Sequence, residues 1–243
     1  IVNAAAYTAV DKSESESDLA MTINATAPKA IAVAAQNIGA TVLHISTDYV
    51  FNGQNHTPYK ERDPTDPLGV YGKSKLLGEI GVRENCDRHL ILRTAWVYGS
   101  RGHGNFVKTM LRLGSERTEL KVVTDQIGSP SWSYDIAIAI TQLLPKSWAD
   151  ENINGIYHFT NSGVASWYDL ALATFNEAKQ LGFPVKVEQV IPITTAEFPT
   201  PTQRPAYSVL AKTKITETLG NYPPYWRDSL RKMLSEWKSI SNY

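Results

Sequence analysis

Apolar and polar positions alternate along the chain in two rhythms. Short runs rich in β-branched residues and leucine recur at Ile1-Val2, Thr41 to Ser46, Leu90 to Val97, Lys121-Val122-Val123, Ile156 to Phe159 and Lys186 to Ile193. Each has the length and composition of a buried strand. Between them, apolar residues fall three and four apart, the helical period. Asn24 to Ile38 is one such stretch, with Ile31, Ala34, Ala35 and Ile38 on one face. Asn24 is a candidate cap there, Pro28 fits the first turn or so, and Gly39 reads as the stop. A second helix is predicted from about Val70 to Glu84, with Leu76, Leu77 and Ile80 inward. Phe106, Met110 and Leu113 mark a third, and Asp135 to Leu144 a strongly apolar fourth. Ser166-x-x-Asp169 resembles a capping box opening a helix through Leu181, and Trp226 to Ile240 reads as a terminal helix. The acidic run Ser13 to Asp18 is most simply a solvated helix start. Strands alternating with helices predict an α/β fold built on a parallel, doubly wound sheet. The stretch from about Asn161 onward carries many of the prolines and reads as a smaller lobe at the sheet's carboxyl edge.

Composition narrows the possibilities. The chain has 243 residues, of which 42% are apolar, enough for a packed core. Lys plus Arg and Asp plus Glu both number 24, a net charge of zero. That balance argues against a protein devoted to nucleic acid or an anionic membrane. No apolar run is long enough to span a bilayer, and the first residues carry no basic n-region or cleavage pattern. The single cysteine, Cys86, excludes an internal disulfide framework and reads as a small buried hydrophobe, in keeping with a reducing cytoplasm. The chain opens directly on a strand-like Ile1-Val2, so residues are expected upstream of it.

Three segments could carry chemistry. Tyr71 and Lys75 lie four apart on a predicted helix and therefore share a face. A phenol ionises near pH 10, and an adjacent ammonium would pull that value down, poising Tyr71 to exchange a proton with a carbonyl or alcohol near neutrality. The pair alone decides nothing, since chance supplies such a spacing in a chain this rich in Tyr and Lys. Ser46-Thr47-Asp48-Tyr49 ends a predicted buried strand, where a doubly wound sheet displays its site. Those hydroxyls could equally cap a turn. Asn3-Ala4-Ala5-Ala6 follows Ile1-Val2; such small residues admit a flat ring, though simple packing explains them as well. The five histidines (His44, His56, His89, His103, His158) show no ligand spacing, and His44 reads as a satisfied core or edge histidine. Tyr222-Pro223-Pro224-Tyr225-Trp226 reads as a hydrophobic plug rather than a ligand edge.

In order and spacing, these segments resemble the extended short-chain dehydrogenase/reductase family, and within it the dTDP-4-dehydrorhamnose reductases. The resembling runs are Val2 to Asp11, Ser46 to Phe51, Tyr71-Gly72-x-x-Lys75, Arg93 to Tyr98, Asn105 to Met110, Asp125-Gln126-x-Gly128-x-Pro130 and Arg204-Pro205-x-x-Ser208. The resemblance implies a Rossmann-like sheet. Residues 1–160 would be the remainder of a dinucleotide-binding domain, 99–130 partly in the substrate site, and 161–243 mainly a substrate-binding lobe. It implies a cytoplasmic enzyme that uses NADPH or NADH to reduce the 4-keto group of dTDP-4-dehydro-6-deoxy-L-mannose. Tyr71 would be the acid, Lys75 its partner and a ligand of the nicotinamide ribose, and Thr47 the third catalytic member. Thr47, Asp48, Tyr49 and Trp96 would meet the sugar, and Ala4, Ala5 and Ala6 would lie along the cofactor with Tyr71 and Lys75. Arg204 would serve the pyrophosphate of the dTDP-sugar. The resemblance leaves a homodimer open.

Two departures accompany it. The family's Gly-rich phosphate turn is not in this sequence, and is expected among residues upstream of Ile1. Some members bind Mg²⁺ through an acidic residue just past the Asp-Gln-x-Gly-x-Pro run. Here Ser131-Trp132-Ser133-Tyr134 follows, so no metal is predicted. The alternatives are a non-catalytic nucleotide-binding regulatory subunit of the same fold, or a related sugar-nucleotide epimerase or dehydratase.

Overall fold

The computed structural model describes residues 1–102 and 104–240, so His103 lies outside the described residues. The elements in chain order begin β1 (Val2–Asn3), α1 (Ser17–Met21), α2 (Ala27–Asn37), β2 (Val42–Thr47), α3 (Val70–Asn85), β3 (His89–Thr94), β4 (Val97–Tyr98) and α4 (Phe106–Glu116). They continue β5 (Glu119–Val123), β6 (Ile127–Gly128), β7 (Ser131–Trp132), α5 (Ser133–Ala149), β8 (Gly155–His158) and β9 (Ala165–Ser166). The last are α6 (Trp167–Gln180), β10 (Gln189–Ile193), α7 (Thr213–Leu219) and α8 (Trp226–Ile240).

Contacts divide the chain into two compact units. The first holds Ile1–Ala95, Ile138–Phe159 and Thr200–Tyr222; the second holds Trp96–Ala137, Thr160–Pro199 and Pro223–Tyr243. The division therefore does not follow one cut near residue 160. The physical reason is in the sheet: β8 pairs with β3, so a segment late in the chain belongs to the first unit.

The first unit is built on a parallel sheet in the order β1-β2-β3-β8, as the alternation of strands and helices predicts. Its register places Val2 opposite Leu43, Leu43 opposite Leu90, and Leu90 opposite Gly155. Val42, Leu43, Leu90, Ile91 and Leu92 have no exposed surface, the signature of strands covered on both faces. Cys86 is buried with Ala32, Ala35, Val82 and Ile91. The left-handed Gly39 (φ 67°) lets the chain leave α2 and enter β2.

Three helix details differ from the pattern. Asn24 is not a cap; it sits fully buried within a π-helical turn, Thr22–Thr26, that leads into α2. Its side chain bonds the backbone of Tyr7 and the hydroxyl of Ser74. The inward face of α2 is Pro28, Ala32 and Ala35, while Ile38 is 75% exposed. On α3 the buried residues are Tyr71, Ser74, Lys75, Gly78, Glu79 and Val82, and Leu77 is 48% exposed. Leu76 packs on a buried cluster with Val50 and Phe51 and Ile80 is half-buried, so the apolar pattern missed chiefly at Leu77 and overlooked the polar side that α3 turns inward, where each group finds a partner. The acidic start also has a buried member, Ser13, which donates to the Val10 carbonyl.

The second unit holds three small ladders: β5 with β10 and β4 with β7, both parallel, and β6 with β9, antiparallel. The predicted strand Leu90 to Val97 breaks at Trp96, which has φ 51°, a left-handed conformation costly for a bulky residue. Ser166 and Asp169 close a complete capping box at the start of α6. Helices α4, α6 and α8 enclose Val107, Leu111, Leu170, Leu230, Met233 and Leu234. Of the Tyr222 to Trp226 cluster, Pro223 and Trp226 are buried, while Tyr222 and Tyr225 are 61% and 47% exposed, so a plug describes only part of it. Among the described residues, no helix is long and apolar enough to cross a membrane.

Candidate active site

Strand β2 delivers Thr47 in an extended conformation at the sheet's carboxyl end, paired with Thr94 of β3. The next three residues, Asp48–Val50, form a 3₁₀ turn that Thr47 caps by accepting from the Tyr49 N–H at 3.2 Å. The Thr47 hydroxyl donates to Asp48 Oδ1 at 3.0 Å. Helix α3 begins beside this turn because Gly72 has no Cβ; one there would overlap the Tyr49 carbonyl oxygen. The close approach sets Tyr71 edge-on against Tyr49, with ring centroids 5.4 Å apart and planes at 79°. The Thr47 hydroxyl is close enough to Tyr71 to favour its ionised form. Thr47, Asp48, Tyr49 and Tyr71 thus converge, and Thr47, Asp48 and Tyr71 are buried.

Electrostatics correct one expectation. Burial pushes the Tyr71 phenol up to about 12, the Thr47 hydroxyl opposes that, and the Asp48 charge adds to it. Lys75 does not pull the value down, because its amine is engaged elsewhere. Its Nζ donates to the Ile45 carbonyl at 2.6 Å and lies 3.4 Å from His44 Nε2. Burial lowers Lys75 to about 8, against the nearby Glu79 carboxylate. Burial also lifts the Asp48 carboxyl to about 6, although the Ser208 and Thr47 hydroxyls favour its ionised form. In this unit, then, Tyr71 is a neutral phenol and Lys75 a cation close to its titration range at neutral pH.

Ala4 and Ala5 are exposed just past β1, and Ala6 is half-buried. Ala5 N–H bonds Asn3 Oδ1, holding this turn against the strand end. Arg204 belongs to the same unit, but its guanidinium fork is taken. Nη1 and Nη2 reach the two Asp11 oxygens at 3.2 and 2.9 Å, and Nη1 also meets Thr200 and the Thr202 carbonyl. Trp96 belongs to the second unit and stacks flat on Trp167, with centroids 3.6 Å apart.

Glu79 was not singled out by the sequence pattern, and Asp11 and Ser208 stood in the resembling runs without an assigned role. Glu79 had a legible signal: it lies one turn past Lys75 on the same face of α3. There it takes a two-pronged contact from Arg93, at 2.8 and 2.7 Å, and a hydroxyl bond from Ser46. His44 is fully buried, as expected, and contacts Asn3 and Lys75.

The profile of the RmlD substrate binding domain matches residues 1–239. The dTDP-4-dehydrorhamnose reductase of Escherichia coli K12 is 44% identical over 236 residues, covering 97% of this chain and 79% of that protein. A crystal structure of a dTDP-4-dehydrorhamnose reductase from Clostridium acetobutylicum superposes with a TM-score of 0.90 at 42% identity, covering 98% of this chain and 80% of that one. The Bacillus anthracis dTDP-4-dehydrorhamnose reductase, solved in complex with NADP, gives 0.89 at 40% identity, covering 97% and 80%. With a profile match across nearly the whole chain and this identity to named reductases, the chain belongs to the RmlD substrate binding domain family.

Proposed function

We propose that the protein reduces the 4-keto group of dTDP-4-dehydro-6-deoxy-L-mannose to give dTDP-L-rhamnose, with NADPH or NADH as reductant. The observation that carries this reading is the convergence of Thr47 and Tyr71 at the end of β2, with Lys75 one turn along α3, in a chain 44% identical to a reductase of that name. The cofactor fits what this unit presents. Ala4 and Ala5 are small and exposed past β1, leaving room for a flat ring, and Lys75 would supply a cationic donor for ribose hydroxyls. When bound, the reduced nicotinamide supplies the hydride for C4.

The chain's own groups manage the proton. The Tyr71 phenol lies beside the Thr47 hydroxyl, which donates to Asp48 and whose interaction with Tyr71 favours the ionised phenol. Tyr71 holds the proton to be given up. A sugar carbonyl oxygen beside Thr47 receives that proton as negative charge grows on it. The high affinity of the buried phenol for its proton keeps Tyr71 in the acid form until then. Lys75, fixed on the Ile45 carbonyl, places positive charge one helical turn away and favours the developing alkoxide. Asp48 and Tyr49 would bind sugar hydroxyls. Arg204 would reach the pyrophosphate by sharing its fork with Asp11.

The direct test is NADPH oxidation by the full-length protein, with and without dTDP-4-dehydro-6-deoxy-L-mannose. Turnover that depends on this sugar supports the reading, and none with either cofactor ends it. The Arg204 role is checked by Arg204→Ala, which should raise KM for the dTDP-sugar about tenfold or more, with cofactor KM unchanged. The proposed partner is the dTDP-sugar alone, without nucleic acid or membrane, in the cytoplasm; sedimentation will show whether the protein is a homodimer.

A further inference from the structure

A cavity of about 1030 Å³ opens between α3, the loop at residues 60–65, strands β3 and β8, and α7. It lies wholly within the first unit, and Thr47, Tyr71 and Lys75 do not line it. Its size is that of a small-molecule site. Leu76 and Ile80 of α3 and Ile156 of β8 give it an apolar wall. Three exposed cations line it without partners: among the described residues, the side chains of Lys60, Arg62 and Arg83 form no hydrogen bond or ion pair. A fourth lining cation, Arg93, is buried. Its Nε and Nη2 are committed to Glu79, but Nη1 reaches only the Glu61 carbonyl at 3.4 Å and His158 Nε2 at 3.5 Å, both longer than ordinary hydrogen bonds. The His158 ring carries its proton on Nδ1, toward the Tyr59 carbonyl, and burial beside Arg93 keeps it uncharged.

We propose that this cavity binds a nucleoside phosphate, at a site separate from the one that holds the reacting sugar. The carboxylates around it are mostly engaged. Glu61 accepts from the His158 N–H at 3.2 Å and Asp63 from the Lys60 N–H at 2.7 Å. Lys214 is engaged too, donating to the Ile156 carbonyl at 2.7 Å. The side chains left without partners are Lys60, Arg62, Arg83 and Glu217, so the complementary ligand is anionic. A solvated lysine needs no partner, but here three free cations share one cavity with a buried guanidinium. A phosphate group carries about two negative charges on three acceptor oxygens and can be shared among several cations, where a carboxylate brings one charge. The planar forks of Arg62 and Arg83 match phosphate oxygens in pairs. The wall of Leu76, Ile80 and Ile156 takes the flat base, and Glu217 accepts from a ribose hydroxyl. Arg93 Nη1 adds a donor that its present contacts hold loosely.

The test is calorimetric titration of the full-length protein with ADP in saturating NADPH, which fills the cofactor site. ADP should bind, and adenosine and inorganic pyrophosphate should each bind about tenfold more weakly or worse. With Arg62→Glu and Arg83→Glu together, ADP affinity should fall by about tenfold or more, while NADPH affinity is kept. Lys73→Glu changes an exposed cation of α3 that does not line the cavity, and should leave ADP affinity unchanged. No binding of ADP at millimolar concentration overturns the proposal. Parent-like ADP affinity in the double variant places the nucleotide elsewhere and overturns it as well. An equal fall in Lys73→Glu reduces the effect to general charge attraction, with the same consequence. Adenosine or pyrophosphate binding as tightly as ADP overturns the class of ligand assigned. The readout is heat of binding rather than turnover, so it stands apart from the reductase reading, which fails separately if the dTDP-sugar is not reduced.

Discussion

Helices α3 and α8 have 16 and 15 residues, yet they bury opposite kinds of surface. Helix α8 turns Trp226, Leu230, Met233 and Leu234 into an apolar core, with Ser229 the one polar member. Helix α3 turns in Tyr71, Ser74, Lys75 and Glu79 among three glycines. On α8 the stabilising term is apolar area removed from water, which needs no particular partner. On α3 every buried polar group must be satisfied individually. Ser74 donates to the Tyr71 carbonyl and receives Asn24, Lys75 donates to Ile45, and Glu79 receives Ser46 and Arg93. A helix face that costs this much to bury is the one on which the proposed chemistry places Tyr71 and Lys75.

Substitutions on the two helices should separate these roles. The largest effect is expected at Tyr71. Tyr71→Phe keeps the ring and removes the proton, and kcat should fall by about 10²–10⁴-fold with little change in melting temperature. Turnover close to the parent's would remove Tyr71 from the mechanism. Next comes Glu79→Ala, which strands the buried Arg93 guanidinium. Urea unfolding should show a loss of about 3–5 kcal/mol, and a loss below 1 would mean Arg93 had found another partner. Leu230→Ala on α8 should cost about 2–5 kcal/mol by the same measurement, yet leave KM for both substrates unchanged.

Asp48 sharpens the contrast through pH. Its folded value of about 6 lies above the ordinary 3.8, so the native state holds the proton more tightly than the unfolded chain does. Stability from this group is full below about pH 4 and is lost as the pH rises through about 6, by up to about 3 kcal/mol. Asp48→Asn should remove that decline, so the variant gains on the parent between pH 4 and 6.5; parallel curves would contradict the shift. The smallest effects belong to the exposed Lys73 of α3 and Lys232 of α8. Alanine at either should move stability by no more than about 0.5 kcal/mol.

What the chain's pattern revealed depends on which of these logics applied. The bounds of α8, the capping box of α6 and the apolar strands of the parallel sheet were legible, because each follows from local periodicity or a local cap. The candidate site was legible as residue types in order, in Thr47, Tyr71 and Lys75. The buried face of α3 was not, since Leu76, Leu77 and Ile80 gave the stronger apolar signal. Arg204 drew notice as an anion ligand, but its pairing with Asp11 lay far outside any local window.

The sequence alone therefore determined the α/β alternation and the approximate place of the longer helices and main strands, and put forward candidate reactive groups, all consequences of interactions within a few residues of chain. Tertiary structure decided which face of α3 is inside, where the units divide, and the charge state of each site residue. Those depend on pairings across tens of residues: Thr47 with Tyr71, Lys75 with the Ile45 carbonyl and His44, and Glu79 with Arg93. A buried proton's affinity is set by what surrounds it in space, and spacing along the chain carries no record of that.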